Sequence, residues 1–574
     1  MIQGIGAAAG VAIGRAFVLP AWEMDVQDRQ LETIDLGKEF DRLHEGIITS
    51  KQEIEEIRNE IQVMVGKEES TIFDAHIAIL EDPVFMSEVR GIIERQYKAA
   101  EVAVKEAIDH FVAMFDLLDD EYMKERALDI KDVGNRLLKH LLGTPEVTLP
   151  KNNEPYILVA HELSPSQLVH LNPSNVLGMV TMVGGKSSHS AIMARALGIP
   201  LVSGFENKLD PMIQTGDMLV LNGSSGCLYV NPSSEVIEQH TIVAEKLRRR
   251  KEQLQLLAAE DAVTLDGVHY HLAANISSYK EFELAVKHGA EGVGLFRTEF
   301  LYMDRQELPT EEEQFEIYRK VAEHAGKHPV VIRTLDIGGD KQLEYFPLPE
   351  EDNPFLGYRA IRISLDRHDL FKTQLTAILR ASTHGSVKIM YPMITSAEEI
   401  RSANLILQEA MADLDNRGIP YDREIPVGIM IEVPAAAASA DLLAAECDFF
   451  SIGTNDLVQY VLAVDRMNEK IAHLYRPYHP AVLRMLKMTV EAARLHNIQV
   501  SVCGEMAGDE RSIPLWAYLG VHHLSMSPQS LLRIKHSILN LAAAEEAGIG
   551  RDCFACRTAG EIEDLLSSRA QLES

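Results

Sequence analysis

From about residue 261 onward the chain alternates short apolar runs with helix-like text, and this rhythm constrains the fold more than any other feature. The runs are VHYHLAAN, GVGLFR, PVVIRTLD, VKIMYPM, VGIMIE, FFSIG, VSVCGE and HHLSMS, with stretches such as ADLLAAECD and AVLRMLKMTVEAARLH between them. Eight βα units in about 300 residues predict a (β/α)8 TIM barrel over 261–574, whose chemistry sits where the strands end. Those ends carry Asn275, Arg297, Arg333 with Asp336, Met390 and Tyr391, Glu432, Thr454-Asn455-Asp456, Cys503 and Ser525. Most of these are charged or reactive rather than core filler.

The remaining text divides by style. A length of 574 residues is room for three or four domains, so the whole reads as a multidomain α/β protein. Residues 1–20 are rich in Gly, Ala and Val, like strands and turns. From Leu36 to Leu142 the text is acidic, with apolar positions three and four apart; it predicts three or four long helices, a bundle suited to docking. Over 146–230 short apolar runs closed by Gly, Pro or Asn return (YILVA, PLVSG, DMLVLNG), so residues 1–20 and 146–230 are expected to form one α/β unit with the bundle, 21–145, inserted. Residues 231–260 read as a charged connecting helix.

Lys and Arg number 55 against 86 Asp and Glu, a net charge of −31. Such a chain repels nucleic acid and anionic membranes, so an anionic substrate requires a local cluster of Arg or Lys. Five scattered cysteines do not make a disulfide framework, and no basic segment precedes the apolar first residues. The expectation is a cytoplasmic protein without membrane insertion.

Arg297, Arg333 and Arg359 lie at or just after strand ends, and Arg466 follows the Asn455-Asp456 loop. A guanidinium fork suits phosphate and carboxylate oxygens. One strand-end Arg is usually a surface ion pair, but several converging on one mouth would make a positive well. Glu432 and Asp456 offer the hard oxygens that Mg²⁺ prefers, or else pair with those arginines. Cys503 stands where a thiol could protonate carbon, although a buried structural Cys is the commoner case. Together the set suits phosphoryl transfer from an enol phosphate.

In VGGKSSHSAIMARALGIP, His189 follows a Gly-Gly turn and opens an Ala-rich helix. A neutral imidazole is a competent nucleophile, though a His at a helix start is more often structural. The GGKS text is not a phosphate-binding Walker loop, because position 180 is Val where that motif needs Gly. The single CxxC at Cys553 and Cys556 lacks the second pair of a zinc site.

GGKSSHSAIMAR, LFRTEFLYM, RTLDIGGDK, NPFLGYRAIR, IEVPAA, SIGTNDLVQYVLAVDR and SVCGEMAGD, in that order, resemble the signatures of the Enzyme I family, the phosphoenolpyruvate–protein phosphotransferases of the bacterial sugar phosphotransferase system. The resemblance runs the length of the chain. It implies that His189 accepts the phosphoryl group of phosphoenolpyruvate through Nε2, and that Arg297, Arg333 and Arg359 bind the phosphate. It also implies that Arg466 and the Asn455 backbone grip phosphate or carboxylate, that Glu432 and Asp456 ligate Mg²⁺, and that Cys503 protonates the enolate to pyruvate. The bundle, with TIFDAHIAILEDP in it, would bind the phosphocarrier protein HPr, with Glu68, His76, Ile79 and Arg126 as contacts. The resemblance further implies a homodimer through the barrel and a swivelling phosphohistidine domain carried on a helix with flexible ends.

Pyruvate phosphate dikinase shares the swivelling histidine and the barrel but requires a large nucleotide-binding domain, for which the text before residue 146 has no counterpart. A binding paralogue without turnover would be expected to lack His189, Cys503 or one of the arginines. A Mg²⁺-dependent lyase would leave the histidine region without a role.

Overall fold

The computed structural model describes the chain apart from residues 20–35, 65–71, 117–120, 144–153, 164–166, 168–174, 186–187, 206–212, 304, 340, 342, 344, 469 and 573–574; of some further helical residues, His189 and Arg126 among them, it describes only the backbone. The chain forms two compact units, Met1–Arg250 and Lys251–Ser574.

In the first unit, eight strands make one mixed sheet. They are β1 (Ile2–Gln3), β2 (Ile5–Ala8), β3 (Val11–Val18), β4 (Tyr156–Ala160), β5 (Val176–Thr181), β6 (Leu201–Ser203), β7 (Met218–Asn222) and β8 (Cys227–Val230), in the order β1-β8-β7-β3-β4-β5-β6-β2. Strand β3 runs parallel to β4 although more than a hundred residues separate them, so the bundle leaves the sheet after β3 and returns at β4. Strands β1 and β2 pair with β8 and β6 at opposite edges, and residues 2–8 thereby close the sheet on itself.

Between β3 and β4 the described residues form five helices: Leu36–Met64, Ile72–Glu81, Pro83–Gln96, Ala100–Asp116 and Glu121–Leu142. That exceeds the three or four expected, because the acidic text hides a break at Asp82-Pro83. The Asp82 carboxylate accepts from the backbone N–H groups of Val84 and Phe85, and Pro83 occupies the first helical position. Apolar faces of the helices share a core with one face of the sheet, where Val89, Ile93, Ala103 and Leu137 meet Leu158, Met179 and Ala191. The other face has its own core around Val159, Val180, Leu219 and Phe205.

A helix over Ser234–Leu256 connects to the second unit. Its expected flexibility does not extend to its far end. The buried Lys535 ammonium donates to the carbonyls of Ala258, Glu260 and Gly289 at 3.1, 2.8 and 3.2 Å, fixing the chain where the helix stops.

The second unit is a closed barrel of eight parallel strands, as the rhythm of the sequence predicts. They are β9 (His271–Ile276), β10 (Val293–Arg297), β11 (Val330–Arg333), β12 (Val387–Tyr391), β13 (Val427–Ile431), β14 (Phe449–Ile452), β15 (Gln499–Val502) and β16 (His523–Met526), with β16 pairing back onto β9. Alternate residues face out under the helices, as Leu272, Ala274 and Ile276 do, or inward to a lumen packed by Leu295, Val331, Met390, Met430, Phe449 and Cys503. Among the described residues, no helix is long and apolar enough to cross a membrane.

Candidate active site

At the C-terminal rim of the barrel the parallel register sets Arg297 directly beside Arg333. Arg333 is only 6% exposed; its guanidinium donates to Glu299 at 2.7 Å and pairs with Asp336 at 2.8 Å. Arg359 reaches the same Asp336 at 3.0 Å and Asp456 at 3.2 Å, and donates to the Tyr460 hydroxyl at 3.0 Å. Arg466 lies 3.3 Å from the other Asp456 oxygen, and Lys341 lies 2.9 Å from Glu299. Arg297 differs from the rest. No carboxylate among the described residues pairs with it; like Arg359 over Phe355 it packs over a ring, that of Phe300, and like Arg333 and Arg359 it has a buried Nε without a partner.

The expected positive well is therefore largely compensated. Of five cations (Arg297, Arg333, Arg359, Arg466 and Lys341), four pair with three carboxylates (Glu299, Asp336 and Asp456), and Arg297 is left without a carboxylate partner among the described residues. Burial opposes ionisation of Glu299 and Asp336, but Arg333 outweighs it, with Lys341 at Glu299 and Arg359 at Asp336, and both carboxyls titrate well below the usual range. Glu432 goes the other way. Burial, then the charges of Asp456 and Asp336, drive its carboxyl well above the usual range. One of its oxygens accepts from the Met393 N–H at 2.7 Å, where Met393 adopts φ 54°, a left-handed conformation rare for its type. Like-charged oxygens crowded so that one resists ionisation are a donor set that a hard divalent cation relieves, so Glu432 and Asp456 fit Mg²⁺. Asp456 would share any such ion with Arg359 and Arg466.

Cys503 follows β15 at 4% exposure, its thiol 3.5 Å from the Ile452 carbonyl. Burial pushes the thiol up to about 11, so it carries its proton at neutral pH. The next residue must be Gly504, since a Cβ there would meet Thr454 Oγ1 at 1.8 Å. Asn275 donates to the Cys503 carbonyl at 2.8 Å and accepts from Ser525 at 2.6 Å, which ties β9, β15 and β16 together beneath the thiol. Asn455 accepts from the Glu505 N–H at 2.8 Å and its carbonyl accepts from Tyr475.

In the first unit, His189 is the first residue of the helix His189–Leu197; Ser188 caps it, accepting from the Ala191 N–H. Gly184, at φ 116°, makes the turn that brings the chain there. Of the bundle residues expected to contact a partner, His76 is corrected by the structure. It is 1% exposed, with its ring 3.3 Å from Asp129 and 3.8 Å from Asp132, so it serves the interior of the bundle. Ile79 is half-buried against the same core. Glu68 and the Arg126 side chain lie outside the described residues.

Three family models match the chain: PEP-utilising enzyme, N-terminal, over residues 3–126; the mobile domain, over 152–226; and the PEP-binding domain, over 251–543. The phosphoenolpyruvate-protein phosphotransferase of Staphylococcus aureus is 43% identical over 568 residues, covering 99% of both chains. That of Geobacillus stearothermophilus is 44% identical over 565 residues, covering 98% of this chain and 97% of the other. The chain belongs to the phosphoenolpyruvate-protein phosphotransferase family.

For this phosphotransferase, sequence reasoning placed Arg297, Arg333, Arg359, Arg466, Glu432, Asp456, Asn455 and Cys503 at strand ends of one barrel. It missed Glu299, Lys341 and Tyr460, which hold the arginines in place. A trace of the first was present: in LFRTE a second ionisable group follows the strand-end arginine by two residues.

Proposed function

We propose that phosphoenolpyruvate binds in the barrel mouth, that its phosphoryl group passes to His189, and that His189 delivers it to HPr, leaving pyruvate. The observation that carries this reading is Arg297, a guanidinium with no carboxylate paired to it among the described residues, in register with Arg333, whose geometry Glu299 and Asp336 fix. A phosphate there gains fork contacts from Arg297 while Arg333 and Arg359 are already oriented. Arg466 and the Asn455 backbone would grip phosphate or carboxylate.

Mg²⁺, held by Glu432 and Asp456, would supply charge neutralisation at the enolate oxygen as it forms. An imidazole lone pair on His189 makes the new N–P bond; the P–O bond breaks with its electron pair passing to the enol oxygen. The Cys503 thiol then gives its proton to the methylene carbon, where the new C–H bond completes pyruvate and leaves a thiolate that solvent reprotonates. Burial favours that return, because it disfavours the thiolate.

The same reading assigns residues 1–20 and 146–230 to the phosphohistidine carrier, 21–145 to HPr docking, 231–260 to the connection, and 261–574 to phosphoenolpyruvate and to a homodimer contact. A charge of −31 and the absence of a membrane-crossing helix among the described residues fit a cytoplasmic protein that handles neither nucleic acid nor lipid.

Phosphoenolpyruvate carrying a labelled phosphorus, given with Mg²⁺, is expected to mark the protein at an acid-labile, alkali-stable position, and His189→Ala to abolish the mark. Label retained by the Ala variant would show that another group is the nucleophile.

A further inference from the structure

At the opposite, N-terminal end of the barrel lies a polar cluster that phosphoryl transfer does not use. Strand alternation puts His269 and His271 on one face of the chain entering β9, while Tyr270 between them is fully buried on the other. Their rings lie 4.4 Å apart, centre to centre. Parallel pairing of β9 with β16 sets His523 opposite His271, the two rings stacked at 4.5 Å and 9°. Glu291, from the turn leading into β10, brings a carboxylate oxygen to 3.1 Å from His271 Nδ1, and its other oxygen accepts from the Leu272 N–H at 3.4 Å.

We propose that His269, His271 and Glu291 form a binding site for a borderline transition-metal ion of the Zn²⁺ class, separate from the Mg²⁺ ligands at the other end of the barrel. One ligand atom from each residue lies within 4.8 Å of the other two. Zn–N and Zn–O bonds of about 2.0–2.1 Å place neighbouring tetrahedral ligands about 3.3 Å apart. The His271–Glu291 pair already has that spacing, and a side-chain rotation of His269 closes the third corner. Solvent takes the fourth, since His271 is exposed and the other two are half-buried.

The donors distinguish this site from the mouth. Two imidazoles and one carboxylate suit Zn²⁺, Co²⁺ or Ni²⁺, whereas Mg²⁺ disfavours nitrogen and selects the all-oxygen pair Glu432 and Asp456. An ion bound here replaces the hydrogen bond between His271 Nδ1 and Glu291, the imidazole keeping its N–H at Nε2. It also joins the start of β9 to the turn before β10, bridging adjacent strands at the barrel base.

The test uses the full chain in saturating Mg²⁺, titrated with Co²⁺ by visible absorption and with Zn²⁺ by calorimetry. We expect one site with ligand-field bands of low coordination number and a saturable heat at one equivalent of ion. His271→Ala and the near-isosteric Glu291→Gln should each weaken binding at least about tenfold. Isotherms unchanged in both variants, or no saturable binding above that of the His269→Ala/His271→Ala double variant, would overturn the assignment and leave the cluster as a hydrogen-bonded group.

Discussion

Glu299→Gln tests whether the rim arginines are held by buried compensation or merely gather there. Glu299 is wholly buried and accepts from Arg333 at 2.7 Å and Lys341 at 2.9 Å. Each charge-assisted hydrogen bond contributes about 1.5–3 kcal/mol, and removing one partner of a buried pair costs about 3–5 kcal/mol. Asp336 remains within 2.8 Å of Arg333 and 3.7 Å of Lys341 and offsets part of that loss. A destabilisation near the low end, about 3 kcal/mol, is therefore expected for the barrel unit. Guanidinium unfolding followed by the fluorescence of Trp516, fully buried in that unit, measures it. The pH profile gives an independent check. The Glu299 carboxyl is depressed in the folded state, so its stabilisation is present above the ordinary carboxylate pKa and is lost as pH falls through the depressed value. The variant lacks that acid-side loss, and the two stability curves should converge toward low pH. A difference below about 0.5 kcal/mol at neutral pH, or parallel curves, would refute the claim that Glu299 compensates Arg333.

Two further outcomes are expected. Glu53 joins the first bundle helix to the last through Arg136, Lys139 and His140 at 2.9, 3.0 and 2.7 Å, and those partners overcome its burial to hold it at about 2. Its contribution is complete above the unfolded value near 4.5 and disappears as pH falls through about 2; with a discount for partial exposure, Glu53→Gln should cost the bundle about 2 kcal/mol at neutral pH, read by far-ultraviolet circular dichroism during unfolding, and an unchanged midpoint would remove the network from the account of bundle stability. Cys503→Ser should slow pyruvate release by at least about tenfold while phosphoenolpyruvate still binds, measured by coupled lactate dehydrogenase assay and calorimetry, and an unaltered rate would exclude the thiol as proton donor.

The barrel was legible because each strand is a short apolar run whose last residue changes character, so that strands and rim residues could be read together. What escaped was compensation. Glu299, written between Thr298 and Phe300 in a helical turn, reads as surface text, and only the closing of β10 against β11 buries it beside Arg333. Lys341 lies in a loop with no period to mark it. His76 failed for the opposite reason: in FDAHIAIL it shares the bundle's apolar spacing, and pairing with Asp129 and Asp132 lets a polar ring occupy the interior. Cys553, one of a CxxC pair with no partner pair in the sequence, is fully buried with the barrel's outer core. At the base His269 and His271 stand together in one run of the sequence, but Glu291 is twenty residues beyond His271 and reaches it only through the turn into β10, and His523 meets it only when β16 closes onto β9.

The closure of the first unit's sheet by residues 2–8 has a practical consequence for handling the protein. With only Gly4 between β1 and β2, deletion of residues 2–8 would open both seams of the sheet at once. Exposed strand edges recruit other chains, so such preparations should precipitate before they lose helix content.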